Sequence, residues 1–459
     1  MSANSTFISP SLKTNESILI VIRIAPQLLG EHRIRKPLPS KQRLYRLFHM
    51  LLYFHARPGA FFIVSHTTIH SVAPSLWLLA LTVSGANIGM ALMTPAIPLL
   101  RSELSATGDE AQLVLSAFLI MLGLGQLVAG SLSDTLGRRP VLLSGSFLFT
   151  IAGAAALVAP TIELLIALRA IQGFGAAACM AVGRVIINDS FDRTEAGRQL
   201  STITMIQSIV PLLAFASGGL VADLVGWRGS IGIMMLTAAA IFAANFALLS
   251  ETNHNRVPRA PVHKVIGVFL LLLRTRAFMV HASSGALLTA GFFSFGGFMP
   301  YQFQRMGASA TMIGLLFSVT ALGYMSGNNL SRHIGPRLGL EPTVMIGGIV
   351  SFLAVLLLVC LEITGHASYF VIASCLFLFG VANGLVVANS IICAVRAAGP
   401  NSGAATGLCG AKQMIYSAFF GSVVIALGGD QNFLLALSVV LLMSGIAAVA
   451  SWLAYWHSR

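Results

Sequence analysis

Twelve stretches of the chain, each twenty residues or longer and nearly free of charge, leave little choice of fold. They fall near residues 76–100, 110–133, 139–159, 161–188, 200–222, 229–250, 278–303, 309–332, 341–364, 368–395, 402–427 and 431–456. A hydrocarbon layer of ~30 Å is crossed by ~20 helical residues. Inside that layer every backbone N–H and C=O needs a partner from the protein, which a helix supplies and an open sheet does not. Charged residues make up only 9% of the 459 residues, against ~25% in a soluble domain. The pattern predicts an all-α integral membrane protein with twelve transmembrane helices in a lipid bilayer, and argues against a large soluble protein.

One polar connector, 251–276, is long, and it divides the spans six and six. An N-terminal half then covers 74–250 and a C-terminal half 277–459. The stretch Leu330-Ser-Arg332-His-Ile-Gly335-Pro-Arg337 echoes Leu132-Ser-Asp134-Thr-Leu-Gly137-Arg-Arg139, with Arg332 where Asp134 stands. Such internal duplication is common in secondary transporters. With the N-terminus inside, the inner loops hold twelve Lys/Arg and the outer loops three, Arg101, Arg228 and Arg305. That imbalance predicts both termini in the cytoplasm. It also accounts for the net charge of +13 without invoking nucleic acid.

Residues 1–73 carry nine Lys/Arg and two acids, Glu16 and Glu31. Their apolar pieces, Ile18–Ile24 and Ala60–Val64, are too short to span, and no secretory cleavage pattern follows them. The expectation is a basic, disordered cytoplasmic extension, or a start codon placed too early, with Met50 the more natural beginning. Cys179, Cys360, Cys375, Cys393 and Cys409 have neither disulfide nor metal spacing and read as small hydrophobes.

The loop Gly130-Ser-Leu-Ser-Asp134-Thr-Leu-Gly137-Arg138-Arg139-Pro140 has its charges in the wrong places for an isolated pair of helices. An acid at a helix C-terminus and arginines at an N-terminus both oppose the macrodipole. The arginines fit the cytoplasmic bias, while Asp134 needs a cationic or N–H partner. The stretch resembles motif A of the major facilitator superfamily, Gly-x-Leu-x-Asp-Arg-x-Gly-Arg-Arg. Gly130, Leu132, Asp134, Gly137, Arg138 and Arg139 match, and Thr135 departs. The resemblance implies a fold of two six-helix halves and a conformational gate at Asp134, supported by Arg138 and Arg139, that stabilises the outward-facing state.

Further motifs resemble the bicyclomycin/chloramphenicol-resistance branch (Bcr/CflA type) of drug:proton antiporters. Ala91-Leu-Met-Thr-Pro95-Ala-Ile-Pro98 is similar to the branch's Asp-Met-Tyr-x-Pro-Ala-x-Pro, with Ala91 replacing the intramembrane aspartate. The same prolines also read simply as a kinked or terminated helix. Gln126, in Gly123-Leu-Gly125-Gln126-Leu-Val-Ala-Gly130, reads as a packing amide. Arg169, Gln172, Gly173 and Gly175 match motif B, which implies a part in proton or substrate coupling; an intramembrane Arg bonded to carbonyls and Gln172 is the structural alternative. Arg184 and Asp189 read as anchors of that helix end. Pro211, Gly218 and Gly219 are a worn form of the antiporter motif C, and Pro211 predicts a bend. Gly226-Trp227-Arg228 matches the branch as well.

Phe292, Phe293, Phe295 and Phe298 could line an apolar pocket, yet read first as lipid-facing or core, and Tyr301 reads as an interfacial belt residue. Gly403, Ala405, Leu408, Gly410 and Gln413 fit the branch's pattern in span eleven, to which Lys412 is an addition. Lys412 reads as a cavity group or as a snorkelling or paired one. Asn87, Met90, Gln207, Phe292, Asn383 and Gln413 compose the expected substrate cavity.

The resemblance implies alternating access driven by the proton gradient, exporting drugs or small toxic compounds from a bacterial inner membrane as a monomer. With no carboxylate in mid-span, coupling falls either to Arg169 with an edge carboxylate or to Lys412. Two other readings stand beside it: a facilitator or symporter for an endogenous metabolite, and a non-transporting membrane sensor. Gly-x-Ser-x-Gly, Walker A and metal-ligand spacing are absent from the sequence, so no enzyme activity, cofactor or metal is called for.

Overall fold

The computed structural model describes residues 74–254, 256 and 262–457. The basic extension expected over 1–73 lies outside the described residues. Among the described residues, twelve helices are long and apolar enough to cross a membrane. They are α1 (Leu76–Glu103), α2 (Gly108–Leu136), α3 (Arg138–Leu157), α4 (Ile162–Ser190), α5 (Arg193–Val225) and α6 (Trp227–Leu248) before the connector. After it come α7 (Arg276–Arg305), α8 (Ala310–Leu338), α9 (Leu340–Ile363), α10 (Tyr369–Ala397), α11 (Ser402–Ala426) and α12 (Phe433–His457).

The two ends of the bundle start their helices differently. At one end Thr107, Thr161, Ser309 and Ser368 cap α2, α4, α8 and α10, each hydroxyl accepting an N–H three residues on. Thr107 and Glu110 complete a reciprocal capping box there. At the other, arginine-rich end, Gly137 (φ 109°) and Gly339 (φ 93°) turn the chain straight into α3 and α9. Such φ values favour glycine. These paired turns correct the register of the sequence echo. The counterpart of Gly137 is Gly339, one helical turn beyond Gly335, which lies inside α8.

The packing order repeats. Helix α1 lies against α4, α5 and α6, and α7 against α10, α11 and α12. The first six spans meet the last six through α2 on α11 and α5 on α8. Phe118, Phe149, Trp227, Phe295, Phe298 and Phe379 are fully buried, while Leu213, Leu236, Leu353 and Leu442 face outward, as a lipid-exposed surface requires.

Two expectations need correction. The connector is not merely polar: Val262–Arg274 forms a helix whose Leu272 is buried in a cluster with Phe278 and Leu408. Its Val-Ile-Gly-Val-Phe-Leu-Leu-Leu-Leu run was too short to register as a span. Tyr301 is no belt residue: it is 5% exposed under the Arg101 guanidinium, 5.1 Å from the ring centre. Pro95 keeps its reading as a helix interrupter: the α-helical part of α1 stops at Ala91, and a 3₁₀ turn at Thr94–Ala96 leads into Ile97–Glu103.

Candidate functional site

A cavity of about 410 Å³ opens where the first six spans face the last six. All six residues singled out for a cavity, Asn87, Met90, Gln207, Phe292, Asn383 and Gln413, line it, and Pro211 joins them. Helix α5 runs unbroken through Pro211. Phe293 also lines the cavity, edge-on to Phe292 at 5.4 Å, whereas Phe295 and Phe298 are core. The aromatic cluster therefore divides between both roles.

The lining also contains Gln126, Arg184 and Tyr324. Gln126 is not only a packing amide, since it faces the cavity and its Nε2 has no partner among the described residues. Arg184 does not anchor the helix end. The spacing held that signal: five residues advance a helix by ~500°, so Arg184 and Asp189 point to different sides. Asp189 instead accepts Arg138 Nε at 2.8 Å.

Neither expected coupling residue lines the cavity. Arg169 is fully buried. It donates to the carbonyls of Val114 (3.3 Å) and Gly89 (3.1 Å) and to Gln172 Oε1 (3.0 Å), with its guanidinium 4.3 Å from the Phe118 ring centre. It thus ties α4 to α1 and α2. Lys412 is 6% exposed. Its Nζ donates to Ser283 Oγ at 2.6 Å and lies 5.2 Å from the Tyr416 ring centre, which ties α11 to α7. No ion pair involves either cation among the described residues.

At the arginine-rich end the misplaced charges find partners in neighbouring helices. Arg138 Nη1 donates to Asp134 Oδ1 (2.5 Å) and Ser133 Oγ (2.8 Å). Arg139 reaches the C-terminus of α6, donating to the carbonyls of Leu249 (2.7 Å) and Phe246 (2.9 Å). The N-terminus of α3 is served by Glu251, absent from the expected site, which accepts the N–H groups of Arg138 (2.9 Å), Arg139 (3.2 Å), Thr252 (3.0 Å) and Asn253 (2.9 Å). Burial pushes the Glu251 carboxyl up, but these four donors together hold it below the ordinary value. Asn253 Nδ2 donates to the Asp134 carbonyl at 3.0 Å and so caps α2. Arg139 and Glu251 thus meet the helix ends that suit them, while Asp134 and Arg138 answer each other.

At the far end the contacts cross between the two sets of spans. Asp223 of α5 accepts the first N–H groups of α8, from Ala310 (3.0 Å) and Thr311 (2.7 Å). Asp430 accepts Arg101 Nη1 at 2.9 Å and is 6% exposed. Gly219 lies against Ala310: a Cβ there would stand 2.2 Å from the Ala310 carbonyl oxygen, and one on Gly218 would stand 2.5 Å from that of Leu92. Further in, Ser318 donates to the Leu212 carbonyl (2.8 Å), Ser116 meets Ser422 (3.0 Å) and Asn328 donates to Ser208 (3.2 Å). Around Gly130, Gly403 and Gly407 a Cβ would meet nothing within 4 Å. Among the described residues, no hydrogen bond or ion pair crosses the seam at the arginine-rich end.

The sequence model of the Major Facilitator Superfamily matches residues 78–421. The chain belongs to that superfamily. This facilitator is 29% identical over 291 residues to the chloramphenicol resistance protein of Pseudomonas aeruginosa, covering 62% of the chain and 67% of the relative. It is 23% identical over 372 residues to the bicyclomycin resistance protein homolog of Haemophilus influenzae, covering 80% and 92%. These relatives are consistent with the Bcr/CflA branch. The crystal structure of a D-xylose-proton symporter shares the facilitator's fold at a TM-score of 0.65 with 15% identity, covering 82% of this chain and 97% of that one.

Proposed function

We infer that this facilitator is a proton-coupled exporter of drugs or small toxic compounds, working by alternating access as a monomer in a bacterial inner membrane. Both termini, and the arginine-rich end, then face the cytoplasm. The observation that carries the reading is one cavity on the seam with unlike ends. Asp223, Asp430 and Gly219 close the far side, while the seam at Asp134 is unbridged. That is an inward-open state of a rocker made of residues 74–250 and 277–459, joined by 251–276. Asp134, 50% exposed, is free to meet the last six spans when that side closes, in keeping with its resemblance to motif A. The names of the relatives support drugs as cargo.

For coupling, Lys412 fits better than Arg169. Its nitrogen meets only neutral partners, Ser283, Met279 and Tyr416, which tolerate either protonation state. Arg169 makes structural bonds to carbonyls and does not reach an edge carboxylate. Proteoliposomes with an imposed proton gradient test the reading. Chloramphenicol or another drug should accumulate on the side of high proton concentration, an uncoupler should abolish this, and Lys412→Gln should leave only downhill flux.

A second reading, a facilitator or symporter for an endogenous metabolite, draws on Ala91. The residue in the place of the branch's aspartate is 3% exposed and apolar. Flux that ignores the proton gradient, or runs with the protons instead of against them, would favour it.

A further inference from the structure

The distribution of charge inside the bundle specifies more than the family resemblance does. Among the described residues three cations, Arg169, Arg184 and Lys412, lie more than a turn inside the spans and at least half-buried, while the carboxylates all sit in loops or within about a turn of a helix terminus. Among the described residues, nothing acidic lines the cavity. A cation far from water is expensive unless an anion or a set of acceptors attends it. Arg169 has its carbonyls and Lys412 its serine. Arg184 has neither: it is half-buried on the cavity wall and forms no hydrogen bond or ion pair among the described residues. Its electrostatic neighbour is the Tyr324 hydroxyl, itself on the cavity wall.

The remaining polar lining mixes acceptors with one buried donor left unspent among the described residues. Thr204, Ser208 and Thr289 spend their hydroxyl protons on carbonyls of their own helices, but Gln126 Nε2 is a buried donor without a partner. Opposite these lie the rings of Phe292 and Phe293. The cavity volume of about 410 Å³ falls within the ~300–1,000 Å³ usual for small-molecule sites.

We propose that the cavity selects amphipathic organic monoanions, with the substrate's carboxylate on Arg184, beside Tyr324, and its aromatic or apolar body on Phe292 and Phe293. The anion supplies the counter-charge the bundle lacks. A guanidinium fork suits a carboxylate in two-point contact, where a lysine offers a single point charge. A cationic drug entering the same cavity would meet the Arg184 guanidinium and no compensating acid among the described residues. The proposal rests on the reading of this cavity as the transport site and names its substrate class.

The test uses three compounds of matched shape and different charge on the purified full chain in lipid nanodiscs: salicylate, its neutral amide salicylamide, and benzyltrimethylammonium. Radiolabelled salicylate should bind saturably, salicylamide should compete at least ten times more weakly, and the cation should not compete. Arg184→Gln should weaken salicylate at least tenfold without changing salicylamide, and Arg184→Lys should restore part of the loss. Failure of salicylate to bind, equal competition by all three, or salicylate binding indifferent to Arg184→Gln would overturn the proposal. The preference measured on the unaltered protein decides the matter even if a variant fails to fold. Flux separates this from the function itself. Transport of neutral or cationic drugs without anion preference removes the proposal and leaves the exporter standing. Anion preference with no flux of any compound does the reverse.

Discussion

The two ends of the bundle use one device for opposite purposes. At both, a carboxylate sits at the start of a helix, where unpaired N–H groups and the macrodipole favour it. At the far end Asp223 caps α8 from α5, and Asp430, held by Arg101, stands against Gly108 at the start of α2. Both links run between the first six spans and the last six. At the arginine-rich end Glu251 caps α3, Arg139 caps α6 and Asn253 caps α2. All of these stay within the first six. Links that stay inside a set make it rigid without fixing its angle to the other set. Links that cross the seam hold one angle and must break for another to form.

The comparison is broken most directly at Gly219. A side chain there meets backbone, not a movable side chain, so Gly219→Val should prevent far-end closure. Transport should fall on the order of 10²-fold, as for groups displaced by about 1 Å, and spin labels flanking 223 and 310 should report a wider separation. Unchanged separation would mean the glycine is incidental. Next comes Asp430→Asn, which leaves Arg101 without its carboxylate. A charged hydrogen bond contributes about 1.5–3 kcal/mol, tenfold per ~1.4 kcal/mol, so the same labels should show the far end opening by roughly ten- to a hundredfold in population. The overall melting temperature should change less, because each set keeps its own core.

Glu251→Ala should do the opposite. Loss of a helix cap costs about 0.5–2 kcal/mol, so thermal stability should drop while the far-end separation stays fixed. Because the folded carboxyl lies below its ordinary value of 4.5, this stabilisation is complete above that value. It is lost as pH falls through the depressed folded one. Stability profiles of the parent and the variant should therefore converge in acid. Smallest is Asp134→Asn. Its pair with Arg138 is half exposed, so stability should change by about 0–1 kcal/mol. If Asp134 serves the other state, transport should suffer far more than stability does.

The membrane class, the twelve helices and nearly all of their limits were legible because the hydrocarbon layer acts on composition alone, one run at a time. The connector helix escaped because an interfacial helix needs no full span. Motif residues Asp134, Arg138 and Arg139 stood out through charges that contradicted their own helices. Their partners Glu251 and Asn253 did not, being loop residues with no periodicity. Arg184 reads as an anchor from its place near a helix end, but its angle around the helix sets it on the cavity wall.

By itself the amino-acid sequence determined which segments enter the bilayer and which residues could not be there for packing alone. Only the tertiary structure decided which cations are already spoken for. A buried charge takes its character from whatever the neighbouring helices bring to it, so Arg169 became a tie, Lys412 a shielded amine and Arg184 an open hand on the cavity wall.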